Sequence, residues 1–539
     1  MLGVQRKSGR RLGSRPLLCG FLAAGLLAGC GGDDEVVPQE VIGDFSGLVA
    51  ADEPRAAVVG RDVLVGGGNA ADAAVAMFFT MAVTLPSRAG IGSGGACVVF
   101  DNGDQSGEAL VFRPGVNEAG GVVPLGARAM AALHARQGIA RWGELLRPAE
   151  NLARFGHRVS RAFARDLAAA AGQISRRPAL ARLFANESGV LAGEGDQIVQ
   201  PELASVLSGI RMDSAGYLYR GDFAARYAAL TAAAGLPVTV EELRDGLPSL
   251  TQAIEIEIGG GDIAYFPPPP AANGTVAALI WQILTEVESY GGQEIVERSH
   301  LFLEAAQRAF ADRATWIDTT LDAESAAKLV DEERLEALMQ DYDPERHKPV
   351  ALPAGSAEPP QEAAAGSGFV VADRFGNAVA CSFTLNGLFG SGQVAEGTGL
   401  ILAGPPTPRR DSFISPTAVV VGNPPNGDLR FAAAASGGVA AASSMVTVML
   451  GALEEENDLD LAIRAARIHH AARPDKAFYE KGMRREVLSG LEARGHALEA
   501  VESLGRVNAV SCPDGVRDGF QSCQAASDPR GAGLGSLAR

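Results

Sequence analysis

The sequence predicts a layered α/β protein, and three observations predict it. The C-terminal third carries short strand-like runs bounded by turns: GFVVAD and AVACSFTL flank RFGN, and TAVVVGN and LRFAAAA follow. Helix-like stretches bracket them. AADAAVAMFFTMAV near the start is apolar nearly all round, the pattern of a buried helix, and VAAASSMVTVMLGALEEE follows the last of these strands. The chain is also long enough, at 539 residues with 47% hydrophobic and 21% charged, to bury a large core. That length suits roughly two to four domains or one large layered unit. The 66 glycines add close helix packing and tight turns.

The elements follow in order. Asn69 can cap the helix after GGGN. AGIGSGGACVVFD reads as a glycine-rich turn feeding a buried strand, and EALVFRPG as a strand with Arg113 at its end. Residues 125–245 are mostly helical, RWGELLRPAENLARFG most clearly. The turn FPPPPAANGT leads into the helix VAALIWQILTEVE, and HLFLEAAQRAFADRATW is a second amphipathic helix. PERHKPVALPAGSAEPPQEAAAG, residues 344–366, changes to Pro, Ala, Gly and Glu, the composition of a linker or mobile loop. GFVVAD and AVACSFTL then form a hairpin. No solenoid-type repeat is present.

A formal charge of −17 argues against a nucleic-acid binder, which needs a basic surface to meet phosphates. The N-terminus is a separate signal. Arg6, Lys7, Arg10, Arg11 and Arg15 form a basic region, and LLCGFLAAGLLAG an apolar one that ends in small residues. It is shorter than the ~20 apolar residues of a membrane span. LAGC resembles a bacterial lipobox, which implies a signal peptide over 1–29, lipid on Cys30, and a tether over 30–45. Loss of the five basic residues takes the formal charge from −17 to −22. The expected location is the cell envelope or periplasm, held to a bacterial membrane by lipid. The outer membrane is the expectation, because Gly31 and Gly32 carry no readable inner-membrane signal.

Cys19 leaves with the signal, so Cys97, Cys381, Cys512 and Cys523 remain. Export permits disulfides. Cys512 and Cys523 bracket the polar loop PDGVRDGFQS and are the expected pair. Cys97 and Cys381 lie in apolar strand-like runs, where a buried free thiol is the usual state. No pair has zinc-ligand spacing, and no metal or cofactor is expected.

The order of motifs resembles the gamma-glutamyltransferase family of N-terminal-nucleophile hydrolases. The matching stretches include GGGNAADAAVA, GIGSGGACVVFD, the strand ending in FRPG, LLRPAENLARFGHRVS, LYRGDFA, PPPPAANGT, EAAQRAFADR, DRFGNAVACSFTLNGLFGSG, GTGLIL, SFISPTAVVV, ASGG, ARIHH and ASDPRGAG. They run in family order from about residue 48 to the C-terminus. The resemblance implies a four-layer αββα sandwich built from large and small segments together, 46–343 and 367–539, with 344–366 as the processing loop. It implies a precursor that cuts itself, and acyl transfer from gamma-glutamyl compounds such as glutathione to water or an amine. Self-cleavage frees the amine of a Thr, Ser or Cys, which then serves as base for its own side chain, while backbone N–H groups hold the oxyanion. By the same resemblance Gly437 and Gly438, after Ser436, form the oxyanion turn. Arg113 grips the glutamyl α-carboxylate, a task suited to a bidentate guanidinium. Thr384 supports the nucleophile, Asn386 lies near the substrate amine, and Ser412 helps bind the carboxylate. His469 and His470 are structural.

The sequence also departs from the family. The family nucleophile is the first of two adjacent hydroxyl residues, seven positions before Asp373, and that position is Gly366. Ser367 falls on the second, and a one-residue shift in a strand turns the side chain to the other face. A bulge or a shifted scissile bond, Gly366–Ser367, would restore it. The acidic segment after GTGLIL reads AGPPTPRRDS, which leaves only Asp411 as a carboxylate, and Phe413 replaces the second carboxylate-binding serine. Three functions are therefore compatible with the sequence. They are a gamma-glutamyltransferase-like hydrolase using Ser367, an acylase of the same fold with another amide substrate, and a non-catalytic binding protein.

Overall fold

The computed structural model describes residues 45–350, 366–405 and 417–539, except 114–115, 289, 317–320 and 456–457. The signal peptide, Cys30 and its lipid, nearly all of the tether, most of the 344–366 loop, and Asp411, Ser412 and Phe413 lie outside the described residues. Phe45, at the end of the expected tether, already stacks on Phe520 with ring centroids 5.0 Å apart.

Among the described residues, thirteen strands build two antiparallel sheets. β1 is Gly47–Ala51, β2 Gly94–Asp101, β3 Ser106–Val111 and β4 Ser249–Gln252. β5 is Ile254–Gly259, β6 Asp262–Phe266, β7 Gly366–Asp373 and β8 Ala378–Thr384. β9 is Thr417–Asn423, β10 Asp428–Ser436, β11 Arg506–Ser511, β12 Gln524–Ala526 and β13 Leu534–Ala538. The first sheet has the order β13-β1-β7-β8-β2-β3-β4, and the second β12-β11-β10-β9-β6-β5.

The alternation of side chains sorts the core into three apolar layers. Val370, Ala380, Val98, Val420, Ala434 and Val510 meet between the sheets. Phe369, Val371, Val379 and Cys381 point the other way, onto helices α1 (Pro54–Val65), α2 (Ala70–Thr84) and α3 (Trp142–Phe155). Val419, Val421, Phe431 and Ala433 point outward from the second sheet, onto α4 (Ala272–Gln282), α5 (Ile295–Trp316) and α6 (Ala440–Met449). Helix, sheet, sheet, helix is the four-layer arrangement expected. The alanine run of β10 lets the sheets approach closely, and at Gly368 a Cβ would lie 3.1 Å from the Ala434 Cβ.

Local signals explain the elements that the sequence predicts. Asn69 caps α2 in a reciprocal box: its side chain accepts from the Asp72 N–H, and Asp72 accepts from the Asn69 N–H. Asp373 closes the β7–β8 turn by accepting from Phe375 and Asn377, and it also accepts from the Ala70 N–H at the start of α2.

One expectation is corrected. Cys97 and Cys381 are not free thiols but a disulfide, as are Cys512 and Cys523. Each half-cystine sits in its own apolar strand, and only the register of β2 against β8 shows that they are opposite each other.

Candidate active site

Register builds the site from the first sheet outward. β7 lies between β1 and β8, with Gly366 opposite Thr384 and Ser367 opposite Phe383. Thr384 is opposite Gly94 on β2. Gly95 and Phe112 exchange backbone hydrogen bonds, so Arg113 follows opposite Gly94. The row Arg113–Gly94–Thr384–Gly366 therefore crosses one end of the sheet, about 14 Å over three strand spacings.

The second sheet brings the glycine turn to the same end. β10 stops at Ser436, and the Ser382 hydroxyl donates to the Ala435 carbonyl at 2.8 Å, tying the sheets together. Gly437 has φ 136°, and a Cβ on it would lie 2.4 Å from the Gly505 Cα, so only glycine fits. Gly438 has φ 64°, and its carbonyl accepts from the Asn273 amide at 2.9 Å. α6 starts two residues later.

Gly366 and Ser367 differ in what they face. A Cβ on Gly366 would lie 3.4 Å from the Ser436 Cβ, an ordinary contact, so the position that the family gives to its nucleophile looks at the glycine turn. Ser367 is fully buried, and its hydroxyl donates to Asp52 Oδ2 at 3.0 Å. Asp52 follows β1 directly. Its Oδ2 also accepts from the Gly368 N–H at 3.1 Å and the Ser436 hydroxyl at 3.5 Å, and its Oδ1 accepts from the Asn508 amide at 3.0 Å. Arg506 donates to the Gly366 carbonyl at 3.1 Å. Burial, then the nearby Arg88, push the Arg506 guanidinium down to about 10.

Asp52, Arg506 and Asn508 were not among the site residues expected from the sequence. The signal was present in RVNAV, where Arg506 and Asn508 take alternate places in a buried strand. Asp52 carries no such signal, because an aspartate before a helix reads as a cap.

Two expected site residues, the nucleophile's support Thr384 and the substrate contact Asn386, are engaged within the protein. The Thr384 hydroxyl accepts from the Asn386 N–H at 2.9 Å. Asn386, at φ 61°, donates its side-chain amide to the Gly404 carbonyl at 3.0 Å. His469 is buried against Ser443, and burial lowers it to about 3, consistent with a structural role.

The ASDPRGAG and ARIHH motifs brace the strand that carries Arg506. Asp528 accepts from Arg467 at 2.7 Å and from the Val507 N–H at 2.9 Å, while Arg530 pairs with Glu480 and Asp528.

Two groups have the spacing of metal ligands, His300–Glu304–His496 and His347–His470–Asp475. Their hydrogen bonds define a proton network. His300 faces the Asp343 carbonyl with Nε2, at 2.9 Å, so its Nδ1 accepts from His496 at 2.8 Å. His347 faces Glu304 at 2.6 Å and Asp475 at 2.8 Å, one carboxylate at each nitrogen, the pattern of a doubly protonated ring. His470 accepts the Ala472 N–H at Nδ1, which leaves its proton on Nε2, toward Asp475 at 3.4 Å.

Two sheets between helical layers, with a buried hydroxyl at the start of a central strand, define the fold class of the N-terminal-nucleophile hydrolases. A solved cephalosporin acylase from Bacillus halodurans shares the fold, with TM-score 0.76 and 22% identity over 91% of this chain and 96% of that one. The family model described as gamma-glutamyltranspeptidase matches residues 56–117, 113–404 and 403–538, so the chain belongs to that family. A glutathione hydrolase proenzyme from Pseudomonas aeruginosa is 26% identical over 92% of this chain and 95% of its own length. An acylase ACY 1 proenzyme from Pseudomonas sp. strain SE83 is 28% identical over 93% and 98%. The family and these relatives support an amide hydrolase or acyltransferase of this fold. Among the described residues no helix is long and apolar enough to cross a membrane, and the two disulfides point to an oxidising compartment.

Proposed function

We propose that the protein is a glutathione-hydrolase-type amide hydrolase and acyltransferase, exported and lipid-anchored through Cys30, with Ser367 in place of the family threonine. The chain cuts itself at Gly366–Ser367, and the mature segments are 30–366 and 367–539. One observation carries the reading: the row Arg113–Thr384–Gly366 and the turn Ser436–Gly438 come from different sheets and meet at one end of the sandwich.

The chemistry follows from that end of the molecule. The freed amine of Ser367 takes the proton of its own hydroxyl, and Oγ attacks the acyl carbon of the amide. The N–H groups of Gly437 and Gly438 hold the oxyanion. The protonated amine gives its proton to the leaving amine, and water or a second amine then takes the acyl group from Ser367. Arg113, with Ser412, receives the α-carboxylate of a gamma-glutamyl group, Asn386 approaches the substrate amine, and Thr384 supports the nucleophile.

Two other readings rest on specific observations. The few acids in AGPPTPRRDSF, and Phe413 in it, suit an acylase with a less polar acyl group. Gly366 at the nucleophile position, with Ser367 buried on Asp52, suits a binding protein that never cuts.

Intact mass spectrometry of the protein lacking residues 1–30, after reduction and beside Ser367→Ala, separates these. Two fragments meeting at Gly366–Ser367, absent in the variant, establish the nucleophile. Release from a gamma-glutamyl anilide then selects the hydrolase, and cleavage without release selects the acylase. One uncut chain in both overturns the enzyme readings.

A further inference from the structure

We propose that Asp52 and Arg506 are the catalytic groups of the self-cleavage step, a role that rests on the reading of Ser367 as the released nucleophile. The bond to be broken joins Gly366 to Ser367, and both sides of it are held. Asp52 Oδ2 accepts the Ser367 hydroxyl at 3.0 Å, in line to take its proton. Arg506 donates to the Gly366 carbonyl oxygen at 3.1 Å, where negative charge builds as the carbon is attacked.

The surroundings fit a working constellation. The Asp52 carboxylate accepts from four donors: the Ser367 hydroxyl, the Gly368 N–H, the Asn508 amide and the Ser436 hydroxyl. That is the pattern of an accepting carboxylate. Asp52, Ser367 and Arg506 are all buried, so the charges act without water screening them. Asp52 and Asn508 also clamp the strand just past the bond. The Asp52 N–H and the Asn508 amide both donate to the Gly368 carbonyl, at 3.2 Å each. Asp528, accepting from Val507, fixes the strand from which Arg506 projects.

The step balances. Ser367 Oγ bonds to the Gly366 carbonyl carbon as its proton passes to Asp52. The carbon–nitrogen bond between Gly366 and Ser367 breaks, and Asp52 returns the proton to the leaving nitrogen. The product is an ester of Gly366 on the Ser367 oxygen, with a free amine at Ser367. Water cleaves the ester, leaving a Gly366 carboxylate and the Ser367 hydroxyl. Nothing beyond water is consumed.

The test follows cleavage with time in freshly purified full-length chain, read by reduced mass spectrometry. Asp52→Asn slows it by about 10²–10⁴, the contribution of a positioned base. Arg506→Met slows it by about 10²–10³, and Arg506→Lys by less. Asp52→Asn could act by disturbing the fold, so a second nucleophile keeps the test decisive. Ser367→Cys combined with Asp52→Asn recovers cleavage over Asp52→Asn alone, because a thiol gives up its proton far more readily than a hydroxyl. Wild type cut at Gly366–Ser367, with Asp52→Asn and Arg506→Met cut at the same rate, overturns this assignment and leaves Ser367 standing. Failure of the double variant to recover while Ser367→Cys alone cleaves also overturns the role of Asp52. A wild type that never cuts overturns both this assignment and the nucleophile.

Discussion

Cys97 and Cys381 sit directly opposite each other on β2 and β8, joined by a disulfide across a sequence separation of 284 residues. The proposed cut at Gly366–Ser367 falls between them. Cleavage therefore leaves two chains held by a covalent bond. A denaturing gel without reductant shows one band for the processed protein, and reductant resolves it into two. In the uncut chain, Cys97→Ala with Cys381→Ala lowers stability by about 2–5 kcal/mol, the usual worth of a bridge closing a long loop, read from the urea midpoint. Two bands without reductant would show that the bridge does not form.

Asp528 holds the strand behind the site. It and Arg467 are both fully buried and bonded at 2.7 Å. Asp528→Ala leaves the Arg467 guanidinium uncompensated in the core and costs about 3–5 kcal/mol. The loss also frees the Val507 N–H, so cleavage slows along with stability. A variant with an unchanged denaturation midpoint would remove the pair from any structural role.

The layers were readable in the sequence because they depend on local pattern. The short apolar runs GFVVAD and AVACSFTL on either side of the turn RFGN, the all-round apolar α2 and its Asn69 cap gave hairpin and helix without knowledge of the fold. Motif order pointed to Arg113, Thr384 and the glycine turn, and the strand register puts them at one end of the sandwich. The Cys97–Cys381 bridge and the Asp52–Ser367 contact were not. They join positions 284 and 315 residues apart and exist only through strand register, to which no short stretch of sequence points. Gly366 is the instructive case. The count from Asp373 marks it as the vacant nucleophile position, and the direction of its missing side chain toward Ser436 is a three-dimensional fact.

His347 makes stability depend on pH in a defined direction. Burial opposes its charge, but the hydrogen bonds it donates to Glu304 and Asp475 outweigh that and raise it above the usual histidine value. Hydrogen bonds from His470 and His347 lower Asp475 to about 2. A raised histidine contributes fully below its unfolded value of about 6.5, and the contribution is lost as pH rises through the folded value. His347→Gln therefore lowers the melting temperature more at pH 5.5 than at pH 9, by roughly 2 °C for each kcal/mol lost. Taking the difference from wild type cancels the acid sensitivity of His157, which burial lowers to about 4, while His496, lowered to about 2 by burial and then by the neighbouring His347, is neutral at both pH values. An equal loss at both pH values would refute a charged His347.

Gly366→Thr tests what the vacant position does. A Cβ there meets the Ser436 Cβ at 3.4 Å and the Phe383 carbonyl at 3.6 Å, so it enters without displacing backbone. Its direction is toward Ser436 and the glycine turn, whereas the Ser367 hydroxyl is spent on Asp52. The threonine restores the family's pair of adjacent hydroxyl residues. Two outcomes follow from that geometry. The cut moves one residue upstream, so the small chain starts at residue 366 and gains about 101 Da, the mass of one threonine residue. Turnover of a gamma-glutamyl anilide rises by about tenfold or more, the gain that about 1.4 kcal/mol of better transition-state alignment gives. Stability stays within about 1.5 kcal/mol of wild type, since the added Cβ meets ordinary contacts and a flexible glycine in a strand is replaced. A small chain that still begins at Ser367, with turnover unchanged, would show that the serine register is the functional one and that the open space beside Ser436 belongs to the substrate.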